Sequence, residues 1–182
     1  MFALPGGHVW IHRGVMHAAT NESQVAGVLA HEIAHVERRH AVGRLAQQTL
    51  TSWALGLLGA MLGNSGGASA AQAAANVLTD GVFLKFSRDD EREADRVGLR
   101  LMVQAGWDAR GMSEMFEILR AGGRREPSQV EVFFSSHPPP VDRISDARRA
   151  GDGTRPGVRD SAAFRAVRAR LRATRAPASM GR

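Results

Sequence analysis

The sequence predicts a mainly α fold of the α+β class, with one small β-strand or hairpin near the N-terminus. Three observations lead there. Apolar residues recur at helical spacing in successive segments, each opened by a residue suited to capping a helix. Only "HVWIH" (8–12) alternates between apolar and polar positions, the pattern of a half-buried strand. The 182 residues, 43% of them hydrophobic, suffice for one core and show no internal repeat.

The strand follows a Pro-Gly-Gly turn; Val9 and Ile11 share one face, and His8, Trp10 and His12 the other. A helix starts at Asn21, a good N-cap with Gln24 at the capping-box position, and its pattern continues to Ala46. Val25, Leu29, Ile33 and Val36 form its expected apolar stripe. From Leu45 to Thr79 there is no charged residue and no His. Each apolar half of that block is shorter than the roughly 20 residues a bilayer span needs. It reads as a helical hairpin buried against the domain, with a membrane surface as the alternative resting place. The next helix runs from Ser87 to Gln104 and stops at Gly106; another is capped by Asp108 and reaches Ala121. Residues 124–136 read as irregular and "HPPP" (137–140) as a stiff extended turn. A short helix at 141–149 and a linker at 151–157 follow. A last helix at 161–173 carries Phe164, Val167 and Leu171.

Charge divides the chain in two. Residues 148–182 hold ten Arg and two Asp, so with a net charge of +6 the remainder carries −2. The basic end reads as a solvated, Arg-biased tail, and no nucleic-acid partner is expected. There is no cysteine, which excludes disulfides and thiolate metal sites. Any metal must be held by His, Asp or Glu. The N-terminus lacks a signal-peptide pattern, and the chain is expected to be a piece of a longer protein.

The stretch "HEIAH" (31–35) fits the H-E-x-x-H pattern. On a helix His31 and His35 differ by about 40° in direction, so both can grip one Zn²⁺. Glu32 lies about 60° from His35, beside the metal rather than aimed at it, which is the place of a general base. An extended motif with Gly three and His six residues further on fails, because those positions hold Arg38 and Ala41. His40 lies about 140° around a continuous helix from His35, too far for the same metal, and reads as a structural hydrogen-bonding residue.

A third ligand must come from Asp80 or later, since 45–79 has no acid. In "DDEREAD" (89–95), Asp89 and Asp90 suit the first helical turn, and Glu93 pairs with Arg96 on the surface. Glu91 and Asp95 share a stripe with Ala94, Gly98 and Met102, which faces the core. Buried carboxylates need a cation or a partner. Glu91 as ligand, with Asp95 accepting a hydrogen bond from the free ring nitrogen of a bound His, satisfies both. Gly98 allows close helix approach.

Four segments in order, "FALPGGHVWIHRGVM", "VLAHEIAHVERRH", "FSRDDEREADRVG" and "SSHPPPVDRI", resemble the HtpX-like and BepA-like gluzincin metallopeptidases, relatives of the CAAX prenyl endopeptidase. The resemblance covers about residues 2–148. It implies a helical zincin-type metallopeptidase domain over 1–150, followed by a basic linker and helix over 151–182. It implies one Zn²⁺ per chain held by His31, His35 and Glu91, with Glu32 as catalytic base. Asp95 and Arg143 would stand behind the ligands. Val9, Trp10 and Ile11 would form the edge strand that pairs with an extended substrate. His137 would donate to the transition-state oxyanion or, in a latent enzyme, coordinate zinc. The implied activity is endoproteolysis of misfolded or unassembled cell-envelope proteins. The implied location is the periplasm or envelope, in contact with a membrane surface or envelope assembly machinery. A zinc-organised latent protease acting as a chaperone-like binding module is the alternative.

Overall fold

The computed structural model describes residues 2–4, 6–61, 86–122, 137 and 141–174. Two short strands, β1 (Phe2–Ala3) and β2 (Val9–Trp10), form an antiparallel hairpin with Phe2 opposite Trp10 and Ala3 opposite Val9. The expected strand is therefore β2, and β1 is its partner. Seven helices follow among the described residues: α1 (Arg13–Ala18), α2 (Glu22–Glu37), α3 (His40–Met61), α4 (Arg88–Gln104), α5 (Arg110–Gly122), α6 (Val141–Asp152) and α7 (Ala162–Ala173). The mainly helical class with a small β-hairpin is as the sequence predicts. The second half of the apolar block, the irregular stretch 124–136, the prolines at 138–140 and the tail beyond 174 lie outside the described residues.

Helix α2 is the central element. It packs on α4 and α5, α5 and α4 pack on α6, and the hairpin rests on α2 through β1. Val28, Met102, Met112, Met115, Phe116, Leu119 and Ile144 fill the space between these helices. Two glycines set the spacing. A Cβ at Gly27 would stand 2.6 Å from Met112 Cα, and one at Gly98 would stand 3.1 Å from the backbone of Ala30 and His31. Gly98 thus brings the acidic start of α4 against the motif of α2. Gly27→Ala is expected to destabilise the domain by about 1–3 kcal/mol through overpacking. A chemical-denaturation midpoint equal to the wild type's would contradict that packing.

Local signals explain most helix starts. Asn21 Oδ1 accepts from the Gln24 amide at 3.2 Å. Gln24 does not close a capping box; its Oε1 accepts from the Thr20 amide at 2.7 Å. Ser87 and Asp90 do form a reciprocal capping box, and Arg44 Nε reaches Asp90 Oδ2 at 2.8 Å, tying α3 to α4. Ser161 caps α7, and Gly106 ends α4 with φ of 80°.

Five expectations are corrected. The helix expected from Asn21 to Ala46 breaks at Arg38–Arg39, where Arg39 takes a left-handed φ of 55°, and α3 departs in a new direction. The apolar stripe of α2 is rotated: Ile33 is exposed, while Ser23, Gln24, Val28, His31, Glu32 and His35 are buried. The apolar block is not buried where it is described. Leu50, Trp53, Leu57, Leu58 and Met61 of α3 face outward, Trp53 at 72% exposure. The stretch expected as a linker is partly helix and partly fixed: Gly151 and Asp152 end α6, the Thr154 amide donates to the Gly151 carbonyl at 3.0 Å, and just beyond 157 the Asp108 amide donates to the Val158 carbonyl at 3.0 Å. The Ser23 amide donates to Arg159 O at 2.8 Å, and Arg159 Nη2 reaches Glu114 at 2.7 Å. Of the residues assigned to the last helix's stripe, Phe164 is buried and Val167 is exposed.

Candidate metal centre

Helix α2 turns His31 and His35 in one direction, as four residues at 3.6 per turn require. Their Nε2 atoms stand 3.1 Å apart. Two ligands of a tetrahedral zinc at 2.0–2.1 Å stand roughly 3.3 Å apart, so the spacing suits one shared ion. Glu91, in the first turn of α4, brings Oε1 to 3.5 Å from His35 Nε2 and Oε2 to 3.7 Å from His31 Nε2. His137 Nε2 lies 4.0 Å from Glu91 Oε1 and 3.8 Å from Glu32 Oε1. One donor atom from each of His31, His35, Glu91 and His137 falls within 4.8 Å of the others, and all four residues are buried.

The electrostatics point to a cation at their centre. Burial first, and then the neighbouring His31, His137, His40 and Arg143, hold His35 well below the ordinary imidazole range. Its ring is neutral and offers a lone pair. Burial raises the Glu91 carboxyl to about 7 against the pull of His31 and Arg143. Burial also raises Glu32 to about 7, against a hydrogen bond from the Ala3 backbone amide. Glu32 Oε1 and Glu91 Oε1 are buried with no hydrogen-bond partner. The neutral His35 ring, a carboxylate that resists ionising alone and orphaned oxygens are jointly satisfied by a divalent cation. An all-His/carboxylate set of three or four donors suits zinc.

A second layer holds the donors in place. His31 Nδ1 donates to Asp95 Oδ1 at 2.9 Å, leaving Nε2 for the cluster. Arg143, from α6, donates from Nε to Asp95 Oδ2 at 2.6 Å and from Nη2 to Asp95 Oδ1 at 2.8 Å; its Nη1 bonds Glu91 Oε2. Burial would raise Asp95, yet the Arg143 and His31 hydrogen bonds keep it below the usual carboxylate range. Phe116 supports the group from beneath, with the Arg143 guanidinium 5.3 Å from its ring centre.

The structure thus gathers His31, Glu32, His35, Glu91, Asp95, His137 and Arg143. It does not bring Val9, Trp10 and Ile11 to them. A cleft of about 340 Å³ opens beside Glu32 and His35, and its walls are Ala3, Leu4, Gly6, Gly7, Val36 and Phe86, among others. The strand residue lining this cleft is Ala3 of β1, while Trp10 and Ile11 are exposed and do not line it. Sequence reasoning missed β1 because two residues carry no period. It also missed Phe86, which stacks on His35 at 4.0 Å between ring centres. Glu93 pairs with Arg38 at 3.2 Å, not with Arg96 as expected. The two acids separate cleanly by burial, Glu91 inside and Glu93 at the surface. Glu91→Gln is therefore expected to lose zinc, and Glu93→Gln to retain about one equivalent in excess metal. Elemental analysis after gel filtration checks both, and equal loss in the two variants would contradict the assignment.

Comparison with known proteins gives a family. The model of peptidase family M48 matches residues 1–150. The chain is 38% identical over 152 residues to a "Putative beta-barrel assembly-enhancing protease" of Vibrio cholerae, covering 81% of this chain and 31% of that protein. It is 33% identical over 163 residues to the "Beta-barrel assembly-enhancing protease" of Escherichia coli K12, covering 86% of this chain and 33% of that protein. It is 36% identical over 143 residues to the "Mitochondrial metalloendopeptidase OMA1" of Schizosaccharomyces pombe, covering 79% and 41%. The chain spans about a third of the length of the first two relatives. It belongs to peptidase family M48, the zinc metalloproteases.

Proposed function

We propose that residues 1–150 form the catalytic unit of a zinc-dependent endopeptidase, with the basic segment 151–182 attached to it. The observation that carries this reading is a buried group of two convergent His Nε2 atoms, the Glu91 carboxylate and an unpartnered Glu32 oxygen, beside a cleft that Glu32 and His35 line. His31, His35 and Glu91 hold the metal. Zinc bound there supplies Lewis acidity towards a carbonyl and lowers the pKa of water to about 7.

The chain's own residues do the rest. An extended polypeptide lies in the cleft against Ala3 of β1 and the adjoining Leu4, in strand-addition mode, with Phe86 also lining the cleft. Glu32 takes the proton of the attacking water and passes it to the departing amine. Its burial keeps its basicity near neutral pH, where a base works best. The imidazole of His137, 3.8 Å from Glu32, donates to the developing oxyanion. Asp95 and Arg143 hold His31 and Glu91 in register. The substrates are misfolded or unassembled proteins of the cell envelope, in the periplasm, beside a membrane or assembly machinery. The names of the beta-barrel assembly-enhancing relatives support that assignment. Among the described residues no helix is long and apolar enough to cross a membrane.

A second reading is favoured by one observation: His137 falls within the donor set itself. As a fourth ligand it would leave the chain latent, a zinc-organised module that mainly binds partners. Cleavage of an unfolded protein distinguishes the readings. Hydrolysis that stops with a chelator and returns with zinc supports the enzyme. Activity only after His137→Ala supports latency, and hydrolysis indifferent to the chelator would overturn both.

A further inference from the structure

We infer that His40 is a positioning residue for His35, and that Glu93 sets the tautomer of His40. The inference rests on the reading of His35 as a zinc ligand. With Nε2 directed at the donor cluster, His35 carries its proton on Nδ1. That proton is donated to His40 Nδ1, 2.9 Å away. His40 must then carry its own proton on Nε2, which faces Glu93 Oε2 at 3.5 Å. This buried nitrogen makes no hydrogen bond, and among the described residues Glu93 is the one carboxylate within 4.0 Å of it. Glu93 is held in turn by Arg38 Nε at 3.2 Å. The two zinc-facing imidazoles therefore have separate supports: His31 leans on Asp95 and Arg143, His35 on His40 and Glu93.

The backbone break explains how His40 gets there. On an unbroken helix it would point about 140° away from His35. The left-handed turn at Arg39, with φ of 55°, restarts the chain as α3 and folds His40 back beneath His35. A bulky residue in that region is strained, and the strain buys an outer hydrogen bond for a ligand. Phe86 fixes the plane of the His35 ring by stacking, 28° from parallel. It leaves rotation within that plane to the His40 contact. Glu93 also gains a reason for its place in the acidic run, outside the donor set but one step behind it.

The test compares His40→Leu with His40→Gln, two side chains of similar size. Gln has an amide oxygen that can accept from His35 Nδ1–H, and Leu has none. Zinc affinity is measured by competition with a chromophoric chelator, and the d–d spectrum of the cobalt-substituted protein reports ligand geometry. The expected result is a loss of about 10–100-fold in zinc affinity for His40→Leu, with an altered cobalt spectrum. His40→Gln is expected within about tenfold of wild type. Equal affinities in wild type and His40→Leu, or equal losses in Leu and Gln, overturn the inference. Should His40→Leu not fold, the surface variant Glu93→Ala, which has no acceptor for His40 Nε2–H, decides: a smaller loss supports the relay, and none overturns it. Wild type and His35→Ala binding zinc equally well would instead remove His35 from the ligand set, and this inference with it.

Discussion

Replacing Glu32 with Gln is expected to lower kcat/KM for peptide hydrolysis by about 10²–10⁴-fold while leaving zinc bound. Glu32 projects from α2 between the two His, into the cleft bounded by β1. One of its oxygens has no hydrogen-bond partner although buried. Gln keeps the side-chain volume and can still accept from the Ala3 amide, so packing is undisturbed. It cannot take a proton from water or return one to an amine. The three donor residues are untouched, so zinc content should match the wild type. Hydrolysis of an unfolded protein and elemental analysis on the same preparations separate the two effects. Undiminished hydrolysis in Glu32→Gln would remove the proposed base, and loss of zinc would mean that Glu32 is a ligand.

The metal centre was more legible in the sequence than its surroundings. The spacing of His31 and His35 is a local property of helical geometry, and so is the inward phase of Glu91 and Asp95. Those assignments needed only a correct helix and an idea of which face is buried. The caps at Asn21 and Ser87 were legible for the same reason, since a cap is decided within three or four residues. The failures are non-local. Nothing near Arg38–Arg39 marks a helix end, because no Gly or Pro stands there. The tertiary bonds of His40, Glu93 and Asp90 make the break worthwhile. The stripe through Ile33 was misplaced because the chemistry buries polar residues on the opposite side of α2. The supposed linker is anchored just past its end, where Val158 and Arg159 accept backbone bonds from Asp108 and Ser23, which lie far away in sequence.

Arg143→Met should be the most destabilising single change at the site, costing about 3–5 kcal/mol in the zinc-free protein. Arg143 is 5% exposed and stands between two buried carboxylates, with two bonds to Asp95 and one to Glu91. Met retains an unbranched stem to pack against Phe116, so little of the loss is packing. What remains is two acids without their cation. The pH dependence isolates that term. In the wild type Asp95 titrates below its unfolded value, so it contributes stability above the usual carboxylate range and loses it as pH falls. Arg143→Met removes that contribution. The gap between the two proteins should therefore be widest near neutral pH and shrink as pH falls below about 4. Zinc should narrow it as well, because a bound cation compensates Glu91 when the guanidinium is gone. Denaturation curves at pH 7 and pH 4, with and without zinc, give all four values. A gap that ignores both pH and metal would assign Arg143 to packing and leave Asp95 to orient His31 alone.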